Sequence, residues 1–140
     1  GSLVSRQQRN AAFFIGFVLF ILLLAAWFTF AAEDDTTVAY GILIPSLSAT
    51  AAAGQPLFDE NCASCHGPFG TGTDSGPPLI HKIYEPSHHS DVSFVRAMDQ
   101  GTVAHHWEFG DMPAQPQVAA ADHGKIIAYI REIQRANGIN

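Results

Sequence analysis

The stretch Cys62-Ala63-Ser64-Cys65-His66 decides how this 140-residue chain is interpreted. A Cys-x-x-Cys-His run is the attachment site of c-type haem, in which two thiols bond to the porphyrin vinyl groups and the histidine takes an axial position on the iron. The spacing suits this chemistry because a short helical turn places both sulfurs along one porphyrin edge and aims His66 at the metal. The sequence therefore predicts one covalent haem c, attached through Cys62 and Cys65.

Three other uses of such a cysteine pair are a thioredoxin-like redox site, half of a zinc site and a structural disulfide. A redox Cys-x-x-Cys is expected in a βαβ context, and a structural zinc ion needs about four Cys or His ligands. Two cysteines placed directly before a histidine meet neither requirement. The motif therefore favours haem.

An uncharged run, AAFFIGFVLFILLLAAWFTFAA, occupies residues 11–32. As a helix with a rise of about 1.5 Å per residue it reaches roughly 33 Å, enough to cross a hydrocarbon core of about 30 Å. The apolar region of a cleaved signal peptide is shorter, about 7–15 residues. We therefore expect an uncleaved transmembrane anchor.

The charged flanks of this run predict its orientation. Two arginines precede it and three carboxylates follow it: Arg6, Arg9, Glu33, Asp34 and Asp35. Because positive flanks stay cytoplasmic, residues 1–10 are expected inside the cell and everything after residue 32 in the periplasm. Bacterial haem attachment on the periplasmic side agrees. The expected location is the bacterial inner membrane, crossed once.

The chain after the anchor divides into a connector, residues 33–49, and one small haem domain, residues 50–140. The domain carries five basic and ten acidic residues, which makes a nucleic-acid partner implausible. The connector segment Val38–Pro45 is too apolar for a flexible tether. Two interpretations stay open for it: packing on its own domain or at the membrane interface, or docking on a partner subunit.

Hydrophobic spacing and capping residues predict an all-α domain with little strand. Gly101 and Gly138 are expected to end the second and third helices. The three predicted helices are Ser48–Asn61, a helix from the N-cap Ser90 through Gln100, and Val118–Asn137. The Gly- and Pro-rich stretches between them, Gly67–Ser87 and Thr102–Pro116, are predicted to be irregular.

Four features in register with the haem motif resemble a class I cytochrome c. Gly54 and Phe58 match the positions where the family's N-terminal helix crosses its C-terminal helix. The segments Gly76-Pro77-Pro78-Leu79 and Ile126-Ile127-Ala128-Tyr129 match two further family motifs. The resemblance implies that the Pro77 carbonyl accepts a hydrogen bond from His66, and that Leu79 and Ile126 pack on the haem. The expected fold is thus a small cytochrome c-type helical haem domain preceded by one transmembrane helix.

The second axial ligand is expected to be Met112. It lies in a loop 46 residues after His66, from which a thioether can reach the opposite side of the iron, and the family's distal methionine is often followed by proline, here Pro113. Met98, the other methionine, lies on a predicted helix and is expected in the core. Histidine is the other candidate ligand type.

Five further histidines bracket one predicted helix: His81, His88, His89, His105 and His106. Imidazole suits copper and zinc, so a second metal site is one interpretation. Surface, propionate-binding or interface roles are the others. Trp107 either lines the propionate edge or fills the core.

An iron with His66 and Met112 as ligands has no open position, which favours electron transfer over catalysis. The resemblance implies a membrane-anchored carrier of single electrons between redox proteins. Its donor would be a quinol-oxidising complex or a dehydrogenase, and its acceptor an oxidase, a reductase or a photosynthetic reaction centre. Two alternatives stay open: a fixed subunit of a larger oxidoreductase, and a haem sensor or enzyme in which Met112 does not ligate.

Overall fold

The computed structural model describes residues 2–30 and 36–140. The chain divides into two units, Gly1–Asp34 and Asp35–Asn140, each with its own internal contacts.

The N-terminal unit contains helix α1, Ser2–Phe30. Within it, Asn10–Trp27 is long and apolar enough to cross a membrane. One apolar helix of the predicted kind is therefore present. The predicted end of the span at Ala32 and the acidic residues that follow it lie outside the described residues.

The second unit is mainly helical, and the predicted fold class is confirmed. Its three longer helices lie close to the predicted bounds, and Gly101 and Gly138 follow two of them with φ of 73° and 75°. The helices are α2 (Ala49–Asn61), α3 (Ala63–His66), α4 (Asp91–Gln100) and α5 (Ala120–Ala136), with 3-10 turns at Pro68–Gly70 and Lys82–Tyr84.

The connector contains a feature that the sequence analysis did not predict, a hairpin of strands β1 (Thr37–Ala39) and β2 (Ile42–Ile44). Its two turn residues, Tyr40 and Gly41, both have positive φ, the geometry that matches the twist of a tight hairpin. The helical periodicity that guided the sequence analysis does not detect strands of three residues.

The hairpin packs on its own domain, as one of the two interpretations of the connector expected. Leu43 N donates to Asn137 Oδ1 (2.9 Å), and Asn137 Nδ2 donates to the Leu43 carbonyl (2.8 Å). Ile42 and Ile44 pack against the hydrophobic core. Val38 and its strand partner Leu43 remain exposed, and so does Tyr40 in the turn, although its ring centroid lies 5.8 Å from that of Phe69.

Helices α2 and α5 form the centre of the domain and touch backbone to backbone at Gly54. A Cβ placed there would collide with the Lys125 carbonyl. One turn further along, the rings of Phe58 and Tyr129 lie 5.4 Å apart, both almost fully buried. The isoleucine stripe of α5 is buried as predicted, with Ile133 fully covered.

A buried arginine of α5 holds the segment between the haem motif and α4. The Arg131 side chain donates to the carbonyls of Tyr84 (2.7 Å) and His89 (2.5 Å), and to the Asp91 carboxylate at the start of α4 (2.8 Å). Gln134, fully buried beside it, donates to the Leu79 carbonyl (2.8 Å). These side chains supply hydrogen bonds that an irregular segment cannot form within itself.

Replacing Gly54 with alanine should destabilise the domain by roughly 1–3 kcal/mol or more, because the added methyl group meets backbone that cannot move aside. Gly124→Ala is the matched control, since a Cβ there has open space around it. It should stabilise α5 by about 0.5–1 kcal/mol. Denaturant unfolding of both haem-loaded variants checks this, and equal effects would contradict the close crossing.

Arg131→Leu should cost roughly 1–3 kcal/mol, because the part-buried His89 carbonyl and the Asp91 carboxylate lose their donor, while the Tyr84 carbonyl keeps only the longer bond from Gln134 Nε2 (3.2 Å). Arg135→Leu provides the comparison. Its side chain is 57% exposed and lies 3.9 Å from Glu132, so this surface pair contributes about 0–1 kcal/mol. A similar loss of unfolding free energy in both variants would show that the Arg131 hydrogen bonds are unimportant.

Candidate haem site

The Cys-x-x-Cys-His motif begins where α2 ends and forms a compact helical turn. Cys62 N donates to the Phe58 carbonyl (2.8 Å), and His66 N donates to the Cys62 carbonyl (2.9 Å). Cys62 is half-buried and Cys65 is exposed, and the two thiols are not joined in a disulfide. Because α2 packs on α5, this turn is held at one wall of the domain's interior.

The environment of Cys62 is unlike that of a redox-active thiol. Burial, followed by the charge of Asp59 and the proximity of Cys65, raises the pKa of Cys62 to about 11. Reactive dithiols instead have a thiol pKa lowered to between about 3.5 and 7.5. The local electrostatics therefore oppose the thioredoxin-like alternative.

His66 is buried and oriented by one hydrogen bond, from its Nδ1 to the Pro77 carbonyl (2.9 Å). Because a carbonyl oxygen only accepts, Nδ1 carries the proton and Nε2 keeps its lone pair. Burial lowers the pKa of His66, against the opposing effect of the Pro77 hydrogen bond. A neutral imidazole held through its far nitrogen is the usual form of a metal-binding histidine.

Gly76 explains how Pro77 comes so close to the motif. A Cβ at this position would approach the Cys65 carbonyl to 2.8 Å, closer than real side chains do. The absent side chain therefore lets the loop lie directly against the helical turn.

A cavity of about 340 Å³ opens beside His66. Six of the seven residues predicted to hold haem line it, while the seventh, Cys65, is exposed. The six are Cys62, His66, Pro77, Leu79, Met112 and Ile126. Further apolar side chains complete the wall, among them Phe58, Phe94, Met98 and Ile130. An apolar cavity lined by the Cys62 thiol, an imidazole and a thioether, with Cys65 on the same helical turn, matches the donor set and surface of haem c.

Met112 is fixed to the end of α4 by a short two-stranded bridge. Thr102 N donates to the Met112 carbonyl and Met112 N donates to the Thr102 carbonyl, both at 2.9 Å. Gly101 has φ of 73°, and a Cβ there would collide with the Met112 carbonyl. Met98 is buried in the core as predicted but also lines the cavity, so lining alone does not distinguish the two methionines.

Trp107 lines the same cavity and has a buried indole Nε1 without a hydrogen-bond partner in residues 36–140. Burial raises the pKa of Tyr84, and the neighbouring Trp107 side chain opposes that increase. An unpaired buried donor is costly, so this atom suits a cavity that receives a polar group. Haem propionates would provide one.

The clustered histidines separate into two groups. His81 packs edge-on against Trp107, with ring centroids 5.1 Å apart. The other four come together from two segments, His88-His89 and His105-His106. Desolvation, followed by the neighbouring imidazoles, lowers the pKa of His106. Sequence analysis had grouped all five without resolving which would meet.

Sequence analysis did not identify the polar residues that fasten the cavity wall. Arg131 and Gln134 lie on the predicted C-terminal helix, where their positions four and eight residues after Ile127 and Ile126 put them near its apolar stripe. The charge of Arg131 so close to an apolar stripe was the one sequence feature that could have indicated a buried polar contact. What it binds, however, depends on chain segments more than 40 residues away.

Comparison with known proteins agrees with this geometry. The family model described as Cytochrome c matches residues 51–134. A curated relative, the Cbb3-type cytochrome c oxidase subunit CcoP of Rhodobacter capsulatus, is 31% identical over 110 residues, which cover 73% of this chain and 36% of the relative. The chain thus spans about a third of that relative's length. No solved structure matches the chain.

The matched residues include the cysteine–histidine turn, the Pro77 loop, the methionine loop and most of α5, and they cover well over half of the chain. Both the sequence relationship and the cavity that these elements enclose lead to the same conclusion: the chain belongs to the cytochrome c family.

Proposed function

We propose that this chain is a membrane-anchored cytochrome c that passes single electrons through one haem. Cys62 and Cys65 would hold the haem through two thioether bonds, and His66 and Met112 would be its axial ligands. The observation that carries the proposal is the oriented, neutral His66 beside an apolar cavity that Cys62 and Met112 also line. When bound, the haem supplies a reversible one-electron couple.

The residues of the chain would position the haem and keep water away from it. Pro77 holds the His66 ring through its carbonyl, which leaves Nε2 for the iron. Leu79 and Ile126, both buried, would cover the porphyrin faces with apolar surface. Exclusion of water and a thioether ligand both favour the reduced iron and raise its potential. Two strong protein ligands leave no position for a substrate, which supports a carrier rather than an enzyme or sensor.

The anchor would be α1, with residues 11–32 crossing the bacterial inner membrane once. Residues 1–10 would lie in the cytoplasm, and the connector 33–49 and haem domain 50–140 in the periplasm. The support for this orientation is the pair Arg6 and Arg9 before the apolar run and the acidic residues after it.

A second candidate role is that of a fixed subunit of a terminal oxidase complex. The match to the CcoP subunit favours it, since that relative is a component of a cbb3-type oxidase. The hairpin supports it as well, because Val38 and Tyr40 are 73% and 69% exposed and Leu43 is 42% exposed. In either role the electron acceptor would be a membrane oxidoreductase, and co-purification after gentle solubilisation would identify it.

Met112→Ala should abolish the long-wavelength charge-transfer band of a Met–Fe(III) pair and lower the midpoint potential on the order of 0.1 V, a fraction of the roughly 0.8 V that axial ligands span. Met98→Ala is the matched control and should keep the band. It should lose about 2–5 kcal/mol of stability through packing. Loss of the band in the Met98 variant instead would reverse the assignment, and loss in neither would exclude methionine ligation.

Removal of residues 1–32 behind a cleavable secretion signal should release a soluble haem protein with an unchanged visible spectrum, because the haem site lies within the second unit. Adding this protein in excess to membranes that lack the full chain distinguishes the two roles. A tethered carrier should restore electron flow, since its anchor supplies mainly effective concentration. A fixed subunit should not, because its anchor and hairpin would form the docking surface.

A further inference from the structure

Four imidazoles meet at the edge of the haem cavity and have no role in the function proposed above, although His89, His105 and His106 line the cavity. This histidine cluster comprises His88 and His89, which follow the Lys82–Tyr84 turn, and His105 and His106, in the loop that leads to Met112. Its ring centroids are 5.1 Å apart for His88–His106 and for His89–His106, and 4.3 Å apart for His105–His106. The cluster is therefore formed by side chains from two separate loops.

The nitrogen atoms of three of these rings are spaced for a shared ion. One ring nitrogen each of His88, His89 and His106 lies within 4.8 Å of the others, and the two Nε2 atoms of His88 and His106 are 3.2 Å apart. Metal–imidazole bonds of about 2.0–2.1 Å in a tetrahedral site place ligand nitrogens roughly 3.3 Å apart. The His88–His106 distance already matches this value, and the widest separation must close by about 1.5 Å.

Two members of the cluster are oriented as metal-binding histidines usually are. His89 donates its Nδ1–H to the Ile83 carbonyl (2.6 Å), and His105 donates its Nδ1–H to the Val103 carbonyl (2.7 Å). Each bond fixes the tautomer and leaves Nε2 with a lone pair. The His89 backbone is itself held, because its carbonyl accepts from the buried Arg131.

We propose that His88, His89 and His106 bind one divalent transition-metal ion, Zn²⁺ or Cu²⁺. Imidazole is a ligand that suits both ions, and the Irving–Williams order gives Cu²⁺ the higher affinity. His88 and His106 are exposed, so the ion can enter from solvent and water can complete its coordination. His105 packs against His106, with ring centroids 4.3 Å apart, and would supply a fourth nitrogen if its ring turned towards the ion.

Such an ion would connect two loops. Among the described hydrogen bonds, only the His88–His106 contact joins them. One is the segment that Arg131 fastens to α5, and the other is the loop that ends at Met112. Metal binding would therefore restrain the methionine side of the haem cavity. The site does not depend on the redox role, since zinc has no redox chemistry and its binding is measurable without electron transfer.

The test uses the haem-loaded full chain in detergent. Calorimetric titration with ZnCl₂ should show one saturable site per chain, and Cu²⁺ should give an electron paramagnetic resonance spectrum with splitting from several imidazole nitrogens. Loss of a residue that only hydrogen-bonds a metal ligand typically weakens metal binding about 10–100-fold. Loss of a ligand itself should cost no less, so His88→Asn and His106→Asn should each weaken zinc binding at least about tenfold. His81→Asn, outside the cluster, should leave the affinity unchanged.

Three results would overturn the proposal. The first is weak, unsaturable zinc uptake, and the second is saturable binding that survives the His88→Asn, His106→Asn double variant. The third is a changed haem spectrum in that double variant together with an unchanged zinc titration, which would assign the cluster to the haem instead. None of these depends on the Met112 band or on electron flow, so a failure here is distinguishable from a failure of the proposed electron-transfer role.

Discussion

The structure depends on the backbone contact between α2 and α5 at Gly54. Helix α2 ends in the cysteine–histidine turn, and α5 carries Ile126 and Ile130 on the facing wall, so their closest approach sets the width of the cavity. A side chain at Gly54 would separate the helices and move the turn relative to Ile126. One turn further along, the buried rings of Phe58 and Tyr129 pack against each other and stabilise this crossing.

Around this crossing, the segments between the helices are held mainly by hydrogen bonds from side chains to their backbone, rather than by backbone pairing between long strands. Arg131 and Gln134 bind carbonyls of the 79–89 segment, and Asn137 binds both backbone groups of Leu43. Helix α5 therefore acts as the scaffold for loops on two sides. A domain of this size buries a limited core, so such polar contacts and the cofactor itself share the task of ordering the loops.

The two sides of the proposed iron site differ in rigidity. His66 is buried on a helical turn and oriented by Pro77, while Met112 is only half-buried in a loop fastened at Thr102. His105 and His106 lie on this less restrained side, whereas His88 and His89 belong to the segment that Arg131 fastens to α5. An ion bound by the cluster would tie the loop of Met112 to that segment, which gives the cluster a physical route to influence the haem.

The sequence alone determined the parts that depend on local spacing: the haem motif, the apolar helix, three helix positions, the glycine that ends α4 and the buried stripe of α5. Pairings between distant segments could not be predicted from it. The hairpin at residues 37–44 consists of strands too short for a periodic signal, and its anchor, Asn137, lies 94 residues from Leu43. Local spacing assigned no role to Arg131, and it placed five histidines in one group. Only the tertiary structure decided that Arg131 is buried, that His81 stands apart and that four imidazoles meet, because such contacts arise from the packing of α5 and from loop paths that no local pattern encodes.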